Sequence, residues 1–157
     1  MTSFIISVLA FLLTIFPSCG MLLAPYQSLT FPGEKAITEE IMGAIEAGDI
    51  AVIEAMASQL LKKETKDLTS EIGKLIDAID GKIIDYSRSG GGGRNESHLG
   101  TRISRTSWSL DLETATESYW LSISWVVVNN RAPDEVGLSS MSLLDSNNNE
   151  LASICVS

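Results

Sequence analysis

The chain has 157 residues, with 20 Asp and Glu against 11 Lys and Arg, for a formal net charge of −9 at pH 7. Such an acidic chain does not attract nucleic acid or an anionic membrane surface, so no nucleic-acid partner is expected. A single His and two cysteines, Cys19 and Cys155, exclude a disulfide scaffold and the usual kind of zinc site, and no cofactor is expected.

The first element is apolar. Phe4 to Phe16 is a run of thirteen residues in which only Ser7 and Thr14 are polar. That is the length of a secretion-signal core, whereas a helix needs about 20 residues to cross a bilayer. Residues 1–18 therefore read as a signal peptide. The cysteine that follows, Cys19, stands where a bacterial lipoprotein receives its lipid. Two features depart from the standard pattern: no Lys or Arg precedes the run, and Phe16 and Pro17 replace the usual leucine and small residue. Plain cleavage, giving a secreted protein, stays open. The expected address is the extracytoplasmic face of the cell membrane, with a diacylated Cys19 as a stable membrane anchor. A lipidated Cys19 leaves Cys155 alone, while an unmodified one leaves a Cys19–Cys155 bridge open.

Residues 19–33 form the anchor and a tether broken by Pro25, Pro32 and Gly33, with Leu22, Leu23, Tyr26 and Phe31 available to dock on the fold. Residues 34–157 are enough for one domain with a real core and too few for two. Ile37, Ile41 and Ile45 lie four apart on one helix face, and Gly48 with Asp49 ends that helix and caps the next. Ile50, Ile53, Met56, Ala57, Leu60 and Leu61 predict a single second helix. Asp67 caps a third, with Leu68, Ile72, Leu75, Ile76 and Ile79 inward.

The period then changes from helix to strand. Gly81 to Arg88 reads as a strand entering a turn at Gly90-Gly91-Gly92-Gly93. Thr106, Trp108, Leu110 and Leu112 alternate on one face of a second strand, and Tyr119, Leu121, Ile123, Trp125 and Val127 on one face of a third. Weaker strands at 136–144 and 151–156 flank the turn Asp145 to Asn149. The expected class is α+β, with three N-terminal helices packed on one face of a curved antiparallel sheet of four to five strands.

Ala44-Ile45-Glu46-Ala47-Gly48-Asp49-Ile50, followed by an amphipathic helix, resembles the opening helical hairpin of nuclear-transport-factor-like and cystatin-like folds. The order of signal, three helices, a strand entering a Gly/Ser-rich turn and long antiparallel strands is similar to an uncharacterised family of small lipoproteins from Gram-positive bacteria. That resemblance implies a cone-shaped sheet wrapped around a helix, and it implies no functional residues.

Candidate site residues come from the domain itself. Between Arg88 and Arg105 lie four arginines and one acid, Glu96, a stretch of +3 in a −9 chain. Beside four glycines able to expose backbone N–H groups, Arg94, His98 and Arg102 are candidates for binding an anion. A flexible hairpin loop with solvated arginines is the alternative, because no Gly-Lys-Ser/Thr ending is present. His98 is also the default general base, with Asp111 as a companion carboxylate. Trp108, Tyr119 and Trp125 share a face and are candidates for the wall of a small-molecule pocket, or for plain core. Trp120 points the other way and is a candidate partner contact. No catalytic or calcium-loop motif is present, and Asp145 to Glu150 lacks the loop's central glycine. The expectation is a non-catalytic domain that binds a small ligand or an envelope protein, with an enzyme using His98 as the alternative.

Overall fold

The computed structural model describes residues 31–156. Signal segment, Cys19 and tether up to residue 30 lie outside it. Helix α1, Glu34–Ala47, buries Thr38, Ile41, Met42 and Ile45, and the N–H of Asp49 returns to the carbonyl of Ala44 at 2.8 Å as the helix closes. Asp49 then caps α2, Ile50–Met56, its carboxylate accepting from the Val52 N–H at 3.3 Å.

The expected single second helix is two. After Met56 the backbone turns extended at Ala57, which forms a parallel bridge to Leu138, and the Ser58 N–H donates to the Leu138 carbonyl at 2.9 Å. Ser58 Oγ accepts from the Leu61 N–H at 3.1 Å and starts α3, Gln59–Glu64. Asp67 likewise caps α4, Leu68–Asp77, accepting from the Ser70 N–H at 3.1 Å. The described residues thus hold four helices rather than three. The apolar pattern runs across the break because Ile53 and Leu61, on either side of it, face one core. The partner that opens the helix is a strand eighty residues away.

Five strands follow: β1 Ile83–His98, β2 Thr101–Thr114, β3 Ser118–Asn129, β4 Gly137–Asp145 and β5 Glu150–Cys155. They lie in sequence order in one antiparallel sheet, β1-β2-β3-β4-β5. A 3-10 turn at Pro133–Glu135 leads from β3 to β4. Trp108, Leu110, Leu112, Leu121, Ile123, Met141, Leu143 and Ile154 form the inner face, packed with Ile41, Ile45, Ile53, Leu61, Ile72 and Leu75 of the helices. The outer face is mostly polar. Cross-strand rows such as Ser107, Ser124, Ser140 and Cys155 line it, as expected of an antiparallel sheet covered on one side.

The glycine run is not the turn. Gly90, Gly91, Gly92 and Gly93 lie inside β1 and pair with Ser109, Trp108, Ser107 and Thr106. The chain reverses at Leu99-Gly100, both at positive φ (47° and 83°), the backbone sense of a two-residue hairpin turn. Glycine has no side chain to pack, so a strand tolerates it where the neighbouring strand covers it. Gly91 shows why a side chain is excluded: a Cβ there would stand 2.7 Å from the Ser107 carbonyl oxygen and 2.9 Å from Trp108 Cα, at a φ of +144°. Gly137 plays the matching part at the helix break, where a Cβ would meet the Met56 carbonyl oxygen at 2.8 Å.

Candidate ligand cleft at the start of the first helix

The residues singled out by sequence are spread over several places. In the β1–β2 hairpin, cross-strand partners share a face. Arg94, Glu96 and His98 therefore lie on the outer side with Arg105, Ile103 and Thr101, and Arg102 lies on the inner side opposite Ser97. Arg94 is ion-paired to Glu96 at 2.7 Å. Arg105 is paired to Glu135 at 2.7 Å, and Asn129 donates to the same carboxylate oxygen at 2.8 Å. Arg102 donates its backbone N–H to Asn130 Oδ1 at 2.8 Å. The exposed His98 has no side-chain hydrogen bond or ion pair among the described residues. Asp111 sits ten positions along β2 from Thr101, the cross-strand neighbour of His98, which is about 33 Å at 3.3 Å per residue. Those two side chains do not meet.

The aromatics divide as well. Trp108 is 1% exposed and fills the core, where its indole N–H finds no acceptor among the described residues. Tyr119 is buried, and its hydroxyl accepts from the Asp80 N–H at 2.9 Å and donates to Glu117 at 3.3 Å. Only Trp125 reaches a depression, beside Arg94, Arg105 and Thr106. Trp120 stands half-exposed on the outer face between Asp111 and Leu144. Cys155, on β5, is exposed and unbridged among the described residues.

An apolar-walled opening lies elsewhere, between the first turn of α1 and the inner face of β1–β2. It has a volume of about 390 Å³, and its walls include Phe31, Pro32, Thr38, Tyr86 and Leu110. Four charged residues, Glu34, Lys35, Glu39 and Arg88, complete it. Tyr86 and Arg88 are opposite Leu112 and Leu110, so both point inward. A bulge at Ser89 follows, and beyond it the bare Gly91 leaves room for the guanidinium: a Cβ there would lie 2.7 Å from Arg88 Nη2. Arg88 Nε and Nη2 both donate to the carboxylate of Glu34, a residue only 5% exposed. The Arg88 side chain remains 27% exposed. Lys35 and Glu39 pair at the rim at 3.7 Å.

Sequence reasoning missed Glu34, Tyr86 and Arg88. The available signals were an acid directly after Pro32-Gly33 at a helix start and an arginine just ahead of the glycines. Nothing in sequence ties two residues 54 apart. Chemically the cleft offers apolar area, the Glu34–Arg88 pair whose charges already satisfy each other in part, and unused guanidinium donors, since an arginine has five N–H groups. Among the described residues no group of three His, Cys, Asp or Glu is placed to hold a metal ion. The resolved pKa shifts fall outside the cleft. The Glu71 carboxylate raises Lys74, and hydrogen bonds from Asn149 and then Asn147 lower Asp145.

The structure thus defines an α+β domain with N-terminal helices laid over an open antiparallel meander. The chain belongs to the family described as Domain of unknown function (DUF5104), whose model matches residues 40–146, from α1 to the turn after β4. That span includes Tyr86, Arg88 and Leu110 of the cleft and starts just after Glu39. No curated protein matches the chain. No helix among the described residues is long and apolar enough to cross a membrane.

Proposed function

We propose that this protein is an exported, lipid-anchored, non-catalytic domain that holds a small ligand in the cleft between α1 and β1–β2. The observation behind this reading is the Glu34–Arg88 pair, set in an apolar cleft of about 390 Å³. Ligand sites combine that kind of volume and apolar lining with a few convergent polar groups. Free Arg88 N–H groups suit a ligand acceptor, and Tyr86, Phe31 and Leu110 suit its apolar part. Membrane attachment through Cys19 rests on the apolar segment before it, and the resemblance to Gram-positive lipoproteins on the order of features along the chain. The cone of nuclear-transport-factor-like and cystatin-like folds is supported by the bulges at Ser104/Arg105 and Ser124/Trp125, since bulges bend strands. An envelope protein is the second kind of partner, with the half-exposed Trp120 as its contact. The enzyme alternative loses support from the distance between His98 and Asp111.

A thermal-shift screen of the full chain against metabolites and cell-wall fragments tests the ligand. A hit is expected to weaken about tenfold or more in Arg88→Lys, which keeps the charge and loses the planar fork. A flat screen on folded protein, or hits indifferent to Arg88→Lys, would reject this cleft. Mass spectrometry of the native N-terminus, compared with Cys19→Ser, tests the anchor separately.

A further inference from the structure

The long hairpin strand β1 is an edge of the sheet, with β2 as its only strand partner among the described residues. From Gly90 to His98 it is regular, matched residue for residue to Ser109 through Thr101 without a bulge. Unpaired edges of this kind are templates for another strand unless proline, lysine or a bulge blunts them. β1 has no proline or lysine, and both of its bulges precede Gly91.

We propose that this edge is the contact of a symmetric dimer in which Gly92–His98 of two copies pair antiparallel about a two-fold axis at Asn95. Antiparallel partners must share a face, so the outer residues Arg94, Glu96 and His98 pair only with outer residues of the second copy. An axis at Arg94 would set Arg94 against Arg94. An axis at Glu96 would set Glu96 against Glu96. The axis at Asn95 sets Arg94 of each copy opposite Glu96 of the other. These two residues already attract each other at 2.7 Å within one strand, so the dimer joins them into an alternating square of four charges.

The same register places the hairpin turn of one copy against the glycines of the other. It brings the turn Leu99-Gly100 of one copy beside Gly91 and Gly90 of the other. Leu99 is 92% exposed, the most exposed large apolar side chain described. The pairing would join the two sheets into one of ten strands and bury the run of β1 backbone that now faces outward.

Sedimentation velocity of the full chain in mild detergent tests the proposal, with Arg94→Glu, Glu96→Arg and the double exchange. Both side chains are largely exposed, so folding is not at stake. Wild type is expected to dimerise. Each single reversal is expected to raise the dissociation constant by about tenfold or more, and the double exchange to return it close to wild type. As a second readout, Asn95→Cys in a Cys155→Ser background is expected to form an intermolecular disulfide on mild oxidation. Directly opposed Cα atoms in an antiparallel pair lie about 4.5–5.5 Å apart, within disulfide reach. Ser97→Cys, off the axis, is expected not to. A wild type that stays monomeric, single reversals without effect, a double exchange as weak as the singles, or no cross-link at Asn95 would each overturn the proposal. So would an edge that stays monomeric and takes up an unrelated extended peptide instead.

Discussion

Two neighbouring glycines of β1 should respond to alanine with opposite signs. At Gly91 the backbone has a φ of +144°, and an added Cβ would stand 2.7 Å from the Ser107 carbonyl oxygen, 2.9 Å from Trp108 Cα and 2.7 Å from Arg88 Nη2. The guanidinium can move away, but the two β2 backbone atoms cannot move without opening the sheet. Forcing a side chain into a glycine-only backbone region costs about 1–3 kcal/mol. Overpacking against fixed atoms adds about 1–2 kcal/mol. Gly91→Ala is therefore expected to lose about 2–5 kcal/mol, a large share of the roughly 5–15 kcal/mol of a whole domain. Gly90, one residue earlier, has no atom within 4 Å of a Cβ and no positive φ in that range. Gly90→Ala should be neutral or gain about 0.4–1 kcal/mol, because alanine restricts the unfolded chain. Urea unfolding followed by tryptophan fluorescence reads both. With a slope of about 2 kcal/mol per molar, the Gly91→Ala midpoint falls by about 1–2.5 M while that of Gly90→Ala holds or rises. Equal effects at the two positions would refute the reading of this run as a strand pressed against β2, and would favour a loop.

Removing the Ser58 hydroxyl in Ser58→Ala leaves the Leu61 N–H without its cap in a buried position, and should cost about 1–2 kcal/mol by the same urea assay. Tyr119→Phe strips the acceptor from the Asp80 N–H and should cost about 1–2 kcal/mol while leaving binding in the cleft unchanged; loss of binding would show that Tyr119 serves the site. Asp145 is held below its ordinary value of 3.8 by bonds from Asn149 and Asn147. Its contribution is therefore full above that value and is lost as pH falls through the lowered one. The stability difference between wild type and Asp145→Ala should shrink on acidification below about pH 4, and a difference that grows there would contradict the turn geometry.

Much of the fold was open to reading in the chain. Alternation from Thr106 to Leu112 and from Tyr119 to Ile123 marked two strands, and their register sets Trp108 against Ile123 and Leu110 against Leu121. Asp49 and Asp67 marked helix starts, because a carboxylate at that place satisfies orphan N–H groups in any context. The glycine run misled. Glycine is favoured both in turns and at close approaches of backbone to backbone, and the single-chain signal is the same for both. The split at Ser58 left no mark on the apolar period either, since both pieces bury the same face.

The candidate site was the least readable part. Basic residues close in sequence, Arg94, His98 and Arg102, divide between the two sides of one hairpin because strand side chains alternate. Residues far apart, Glu34 and Arg88, meet in the cleft because α1 lies over the inner face of β1. Local chemistry alone determined the caps at Asp49 and Asp67, the inward faces and the turn at Asp145, for each depends on neighbours within a few residues, and composition alone determined the acidic balance. Pairing between distant segments decided the rest: which glycine lies under Trp108, where the second helix breaks, and which carboxylate Arg88 finds. Those outcomes depend on register and on backbone approach across the sheet, and no residue's own preference encodes them.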